Sequence, residues 1–198
     1  GGGAPSACAM HGGLVSCWGQ GTFGRLGRGS NLPSLVPVAV VFADDSRLSS
    51  VAEITVGEIG ACARTDAGAV YCWGKGNEGE IGDGGLVARA NPTLVPGLSG
   101  VVSVSAGSEF ACAVQDDGAL MCFGANTYGE LGVGDTAPRL EPAVVQPGAR
   151  WTEVGVGPRH SCGIREGGAL YCWGDNERLG LRVDGASSTP LPVRVVLP

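Results

Sequence analysis

The chain has 198 residues, 43% of them hydrophobic, enough for one ordinary domain with its own core. Charged residues make up 16%, the formal net charge is −6 and Lys75 is the one lysine. An acidic, lysine-poor surface argues against nucleic acid as a partner, because that affinity rests on Lys and Arg neutralising phosphates. No stretch supplies the roughly 18 apolar residues of a spanning helix, since the longest tempting run, 35–43, is short and holds Pro37.

Glycine accounts for 36 residues, far above the roughly 7% average. The excess has no collagen period. It falls at fixed places in a pattern that recurs along the chain. The third copy, residues 112–134, reads CAVQDDGALMCFGANTYGELGVG, and residues 62–84 repeat it as CARTDAGAVYCWGKGNEGEIGDG. A shorter-turned copy runs over 8–29 and a damaged one starts at Cys162. The aromatic-Gly pair that marks each copy begins at Trp18, Trp73, Phe123 and Trp173, at steps of 55, 50 and 50. Such periods mean a propeller or a solenoid. The units are approximately 4–50, 51–100, 101–150 and 151–198, all within one repeat domain, 1–198.

Unit one opens on glycines rather than Met, so a processed or partial chain is expected, with Gly1–Gly3 as linker; no signal peptide is visible. Residues 6–10 already read as the second strand of the pattern, so its first strand is missing. Its trailing loop, 40–50, is longer than the others and carries a polar Asp44-Asp45-Ser46-Arg47 tip. Unit two predicts strands at 52–56, 61–64, 69–73 and 93–95. Unit three predicts 101–106, 110–115, 119–123 and a Pro-bounded outer strand at 142–146. Unit four predicts 152–156, 161–164, 169–173 and 192–196. Its turn loop, 173–180, is two residues short, and its last strand, 193–197, is placed to add to a neighbouring sheet. Four short strands per unit, separated by glycine turns and free of helical period, give an all-β fold of propeller blades.

The eight cysteines fall into Cys8/Cys17, Cys62/Cys72, Cys112/Cys122 and Cys162/Cys172, separated by nine residues in the first pair and ten in the rest. The difference is informative. Asp116-Asp117-Gly118 suits a three-residue hairpin loop with Gly in the left-handed position, which sets Gln115 against Ala119 and Cys112 against Cys122. Gly12-Gly13 suits a two-residue primed turn, which sets His11 against Leu14 and again Cys8 against Cys17. Each pair then falls at a non-hydrogen-bonded site, where Cα atoms lie about 4.5–5.5 Å apart, within disulfide reach. Four cross-strand disulfides are predicted, each stabilising by roughly 2.5–3 kcal/mol in the chain-entropy model, in an oxidising compartment. Eight buried thiols in a reducing compartment is the competing interpretation. Zinc fits worse: no Cys-x-x-Cys occurs, and His11 and His160 are not spaced as partner ligands.

The motif aromatic-Gly-x-x-x-x-Gly-x-Leu/Ile-Gly-x-Gly, at 18–29, 73–84 and 123–134 and loosely at 173–180, resembles the regulator-of-chromosome-condensation repeat. The stretch Gly157-Pro158-Arg159-His160-Ser161 is similar to the segment that leads into the second strand of that family. The resemblance covers essentially the whole chain. It implies a β-propeller, usually of seven blades with four strands each. The paired cysteines resemble secreted bacterial members rather than the nuclear type. Four units cannot close a seven-bladed ring, so either an arc of a larger propeller or an unusual small ring is expected.

Trp18, Trp73, Phe123 and Trp173 are expected to pack between adjacent blades. Partner contact is assigned instead to the loop that follows them: Phe23 and Arg25, Glu78 and Glu80, Tyr128 and Glu130, Glu177 and Arg178. These positions vary between copies while the glycines around them do not, which is how a loop face on a fixed scaffold acquires specificity. Phe23 and Tyr128 are the best anchors, since aromatics dominate interface hot spots.

No nucleophile elbow or phosphate loop is present, so no catalytic residue is assigned. Asp116-Asp117 and Asp44-Asp45 read as turn residues rather than a calcium loop, and Asn91-Pro92-Thr93 is not a glycosylation site. No metal, cofactor or small-molecule substrate is expected, and membrane insertion is not. The expected function is a non-enzymatic protein-binding or structural module of a secreted or cell-surface protein, an adhesin or assembly component, with a protein partner or self-association. The alternatives are a guanine-nucleotide exchange or chromatin-associated factor, and an inhibitor of a secreted enzyme.

Overall fold

A computed structural model describes residues 6–58, 60–177 and 187–196. Arg178, the end of the shortened turn loop at 179–180, Gly1–Gly3 and residue 197 of the predicted last strand lie outside these. Blade one holds β1 (Ser6–His11), β2 (Leu14–Gly19) and β3 (Ser34–Ala39). Blade two holds β4 (Val51–Val56), β5 (Gly60–Thr65), β6 (Val70–Gly74) and β7 (Arg89–Leu94). Blade three holds β8 (Val101–Ala106), β9 (Phe110–Gln115), β10 (Leu120–Gly124) and β11 (Arg139–Val144). Blade four holds β12 (Trp151–Val156), β13 (His160–Arg165), β14 (Leu170–Asp175) and β15 (Ser188–Arg194). Each sheet is an antiparallel meander in sequence order, of three strands in blade one and four in the others. Among the described residues no strand precedes β1 in blade one.

The turn chemistry sets the hairpin register. Gly12 and Gly13 have φ of 58° and 73°, which a primed two-residue turn requires, and His11 pairs with Leu14. In blade three the Gly118 N–H donates to the Gln115 carbonyl at 2.9 Å, and Gln115 meets Ala119. Both counts bring cysteine to cysteine. The four predicted disulfides are present, Cys8–Cys17, Cys62–Cys72, Cys112–Cys122 and Cys162–Cys172. Their Cα separations are 4.1 Å, shorter than the expected 4.5 Å or so of an unbridged pair.

The outer strands begin earlier than predicted. β7, β11 and β15 start at Arg89, Arg139 and Ser188, and Pro92, Pro142 and Pro190 lie inside them rather than at their boundaries. An edge strand has one unpaired side, so a missing N–H costs nothing there. The long loop after β3 folds back on itself through a Val41–Arg47 bridge. Its Asp44 carboxylate accepts from Ser46 N–H at 3.0 Å and Ser46 O–H at 2.6 Å, the turn role expected of it.

The core lies between sheets rather than within one. The first strands of adjacent blades touch, β4 against β8 and β8 against β12, so the sheets converge on that side and fan out towards their last strands. Val15, Leu26, Val40, Val51 and Trp73 fill the junction of blades one and two. Val70, Ile81, Val101, Val104 and Phe123 fill the next. Leu120, Leu131, Val145, Trp151 and Trp173 fill the third. Each junction turns on one aromatic. The rings of Trp73, Phe123 and Trp173 lie against Gly27, Gly82 and Gly132 of the preceding blade, where a Cβ would come within 2.9, 2.7 and 2.6 Å of ring atoms. The backbone there is left-handed, with φ of 67°, 75° and 71°, which glycine alone adopts freely. Trp18 departs from the expectation. It is only half-buried, because no described loop lies against it.

Candidate functional site

The loops after β2, β6 and β10 lie on one rim together with the loops joining β4 to β5, β8 to β9 and β12 to β13. The fold divides the expected contact residues into two sets. Phe23, Glu78 and Glu177 are exposed and Tyr128 is half-buried, whereas Arg25, Glu80 and Glu130 are buried. The alternation comes from Gly24, Gly79 and Gly129, which press against Ala90, Leu140 and Pro190 of the next blade. That contact turns the following residue inward.

The inward residues hold the loops. Arg25 Nε donates to the Thr22 carbonyl at 3.1 Å and its Nη1 to the Glu58 carbonyl across the junction at 3.2 Å. The Arg25 carbonyl accepts from the Trp73 indole at 3.1 Å. Glu80 Oε2 accepts from Glu78 N–H at 2.7 Å and Glu130 Oε2 from Tyr128 N–H at 2.6 Å, so both acids cap their own turn. The Glu130 carbonyl also takes the Trp173 indole at 2.9 Å and the Ser161 hydroxyl at 2.8 Å. Burial pushes the Glu130 carboxyl above its ordinary range, against the bonds it accepts from backbone and the nearby Arg159 charge.

Residues that sequence analysis did not assign to the site complete it. Lys75 donates to Glu109 of the next blade at 2.5 Å and lies 3.5 Å from Glu80. Desolvation alone would lower the Lys75 ammonium; the Glu109 bond and the charges of Glu80 and Glu109 outweigh it and hold it above its ordinary value. At the next junction Ala125 stands at the position of Lys75, and Arg159 stands at the position of Glu109, its guanidinium 4.9 Å from the centre of the Tyr128 ring. Between these two junctions the cation moves from one blade to the other. The only sequence signal was the position of Glu109 and Arg159 within the Gly-x-x-x-x-Cys segment. Between blades three and four these loops border an open cleft of about 900 Å³, lined by Glu58, Glu109, Tyr128, Glu130, Arg159 and Asp175 among others. Among the described residues no three His, Cys, Asp or Glu side chains gather as a metal would require. No helix among them is long and apolar enough to cross a membrane.

A family model described as the Regulator of chromosome condensation (RCC1) repeat matches residues 12–59, 67–114 and 117–164, and a second of the same description matches 101–130 and 151–178. The chain belongs to the RCC1 repeat family. The human E3 ubiquitin-protein ligase HERC2 is 37% identical over 86 residues, which is 43% of this chain and 2% of that protein. The Ultraviolet-B receptor UVR8 of Arabidopsis thaliana is 37% identical over 82 residues, 41% of this chain and 18% of that protein. The chain thus spans a small part of the RCC1-repeat relatives it matches. Human WBSCR16 has a similar fold, with a TM-score of 0.83 and 19% identity, over 98% of this chain and 51% of that one. Yeast RCC1 (Prp20), solved bound to Kap60, superposes with a TM-score of 0.78 and 23% identity, over 93% of this chain and 45% of that one. Both likenesses show the blade fold, and in this chain each of the four blades carries a disulfide.

Proposed function

We propose that this chain is a non-enzymatic protein-binding module of a secreted or cell-surface protein, an adhesin or assembly component, and that it binds through the loop rim. One observation carries this. The side chains that vary between copies and reach solvent, the exposed Phe23, Glu78 and Glu177 and the half-buried Tyr128, lie together on a rim whose inward residues are pinned by hydrogen bonds. Phe23 is the clearest anchor. It is 42% exposed and held at φ 62°, a left-handed backbone that costs an L-residue about 1–2 kcal/mol. Glycine would relieve that cost, yet an aromatic is presented there.

The bridged hairpins support an oxidising location. Non-reducing peptide mapping of the protein from its native cells tests this: four intact bridges uphold export, and eight free thiols overturn it. For the rim, Phe23→Gly is expected to keep or raise stability while binding to the isolated partner falls about tenfold or more; unchanged binding removes Phe23 from the interface. The likeness to yeast RCC1 favours a second reading, since one structure of that protein describes binding to Gsp1p and histones. Nucleotide release from a small GTPase at catalytic rates would establish that reading instead.

A further inference from the structure

Two junctions carry the same acid and treat it differently. Glu80 and Glu130 stand at one position of the repeat, both are buried, and each accepts through Oε2 from a backbone N–H of its own turn. Glu80 has a cation. The Lys75 ammonium lies 3.5 Å from its Oε1 and donates to Glu109 across the junction. At the first junction Gln20 and Arg25 stand at the positions of Lys75 and Glu80, so no carboxylate arises there.

Glu130 keeps the acid and loses the cation. Ala125 stands where Lys75 would, and its methyl group carries no charge. Arg159 stands at the position of Glu109, but its guanidinium is drawn over the Tyr128 ring, 4.9 Å from the ring centre. Its charge reaches Glu130 without a hydrogen bond, and the carboxylate takes its hydrogen bonds from backbone N–H groups alone. Oε1 is thus left without a side-chain partner among the described residues, on a residue only 4% exposed. Burial, with the Glu109 charge added to it, holds this carboxyl above its ordinary value, as expected of an acid that lacks a close cation. Ala125 and Glu130 both line the open cleft of about 900 Å³ between blades three and four. Glu58, Glu109 and Asp175 also line it, so four carboxylates face one arginine and His160.

We infer that this cleft takes a lysine side chain of a partner protein, its ammonium set against Glu130 Oε1 as that of Lys75 is set against Glu80. The alkyl stem passes Ala125 and the Tyr128 ring, apolar surface of the kind such stems cover. The compact ammonium suits the site better than a guanidinium. An arginine fork asks for both carboxylate oxygens, and Tyr128 N–H already holds Oε2. The inference rests on the loop rim being a binding face and gives the partner of that face a chemistry.

The test titrates the intact, bridged chain with acetyl-Gly-Gly-Lys-Gly-Gly-amide and follows the Glu130 side-chain carboxyl by carbon NMR across pH. Saturating peptide is expected to lower the Glu130 pKa by about one unit or more, as an ammonium beside a carboxylate does. The same peptide with its lysine Nε-acetylated leaves it unchanged. Ala125→Lys lowers it without peptide and removes the response to peptide, because the site is then filled from within. No response to the lysine peptide would overturn the inference. So would an equal response to the acetyl-lysine peptide or to a lysine-free glycine peptide with a free amino terminus, or an Ala125→Lys chain whose Glu130 titrates as before. A negative titration while Phe23→Gly still weakens partner binding would sink the cleft and spare the rim; Phe23→Gly without effect beside a positive titration would do the reverse.

Discussion

The junction between blades two and three and the open face of blade one are built from the same residue types, and they differ in what covers them. At the junction Phe123 is fully buried against Gly82, and Ala111 and Ala113 are buried beside it. At the open face Trp18 is partly exposed and Ala7 and Ala9 are bare. Sequence identity at a repeat position therefore does not set its energetic weight. The neighbouring blade does, because the apolar surface that counts is the surface removed from water.

The comparison predicts unequal costs for equal changes. Phe123→Ala should destabilise by about 3–5 kcal/mol, as for other buried aromatics, whereas Trp18→Ala should cost about 1 kcal/mol, since its ring is already half in water. Urea midpoints measure both, and a Trp18 cost matching that of Phe123 would show that the open face is covered in solution. Next come the bridges. Loss of Cys112–Cys122 by paired alanine substitution should cost about 2–4 kcal/mol. Under graded reduction, alkylation should reach Cys8 and Cys17 before Cys112 and Cys122, because attack on a disulfide needs access to a sulfur; simultaneous loss of all four bridges would erase the distinction.

Glycines sharpen it further. Gly132→Ala drives a Cβ to 2.6 Å from the Trp173 ring, whereas Gly97→Ala meets nothing within 4 Å. Both adopt positive φ, so the first should cost about 2–3 kcal/mol and the second about 1 kcal/mol. The smallest effect concerns Glu130, whose carboxyl burial holds above its ordinary value. A carboxyl raised in the folded state favours folding when protonated, so its contribution is fully present below its unfolded pKa and is lost as pH rises through the folded one. Glu130→Gln keeps an acceptor for Tyr128 N–H without the charge. Its stability relative to the parent should be highest at neutral pH, and that advantage should vanish as pH falls below the ordinary glutamate range. An advantage independent of pH would mean that packing, not ionisation, is at stake.

Much of the fold was legible before any coordinates. The count of residues between Gly118 and each cysteine, or between Gly12-Gly13 and each cysteine, sets a ladder that closes locally, so hairpin register and bridge pairing could be read directly. The outer strands were misplaced because proline was read as a boundary, a rule that fails at an edge. The rim was only half legible. Phe23 and Arg25 look equally variable in sequence, yet one faces solvent and the other bonds to Glu58.

What the amino-acid order determined by itself is whatever lies within one repeat: four units, their strands, their glycine turns and the cysteine facing cysteine. These depend on contacts a few residues apart, which turn geometry enforces. What only the tertiary structure decided is whatever lies between repeats: a core between sheets, and a cation that changes sides between the second junction and the third. Those contacts join residues about one repeat apart, and no local pattern states which blade face will meet another.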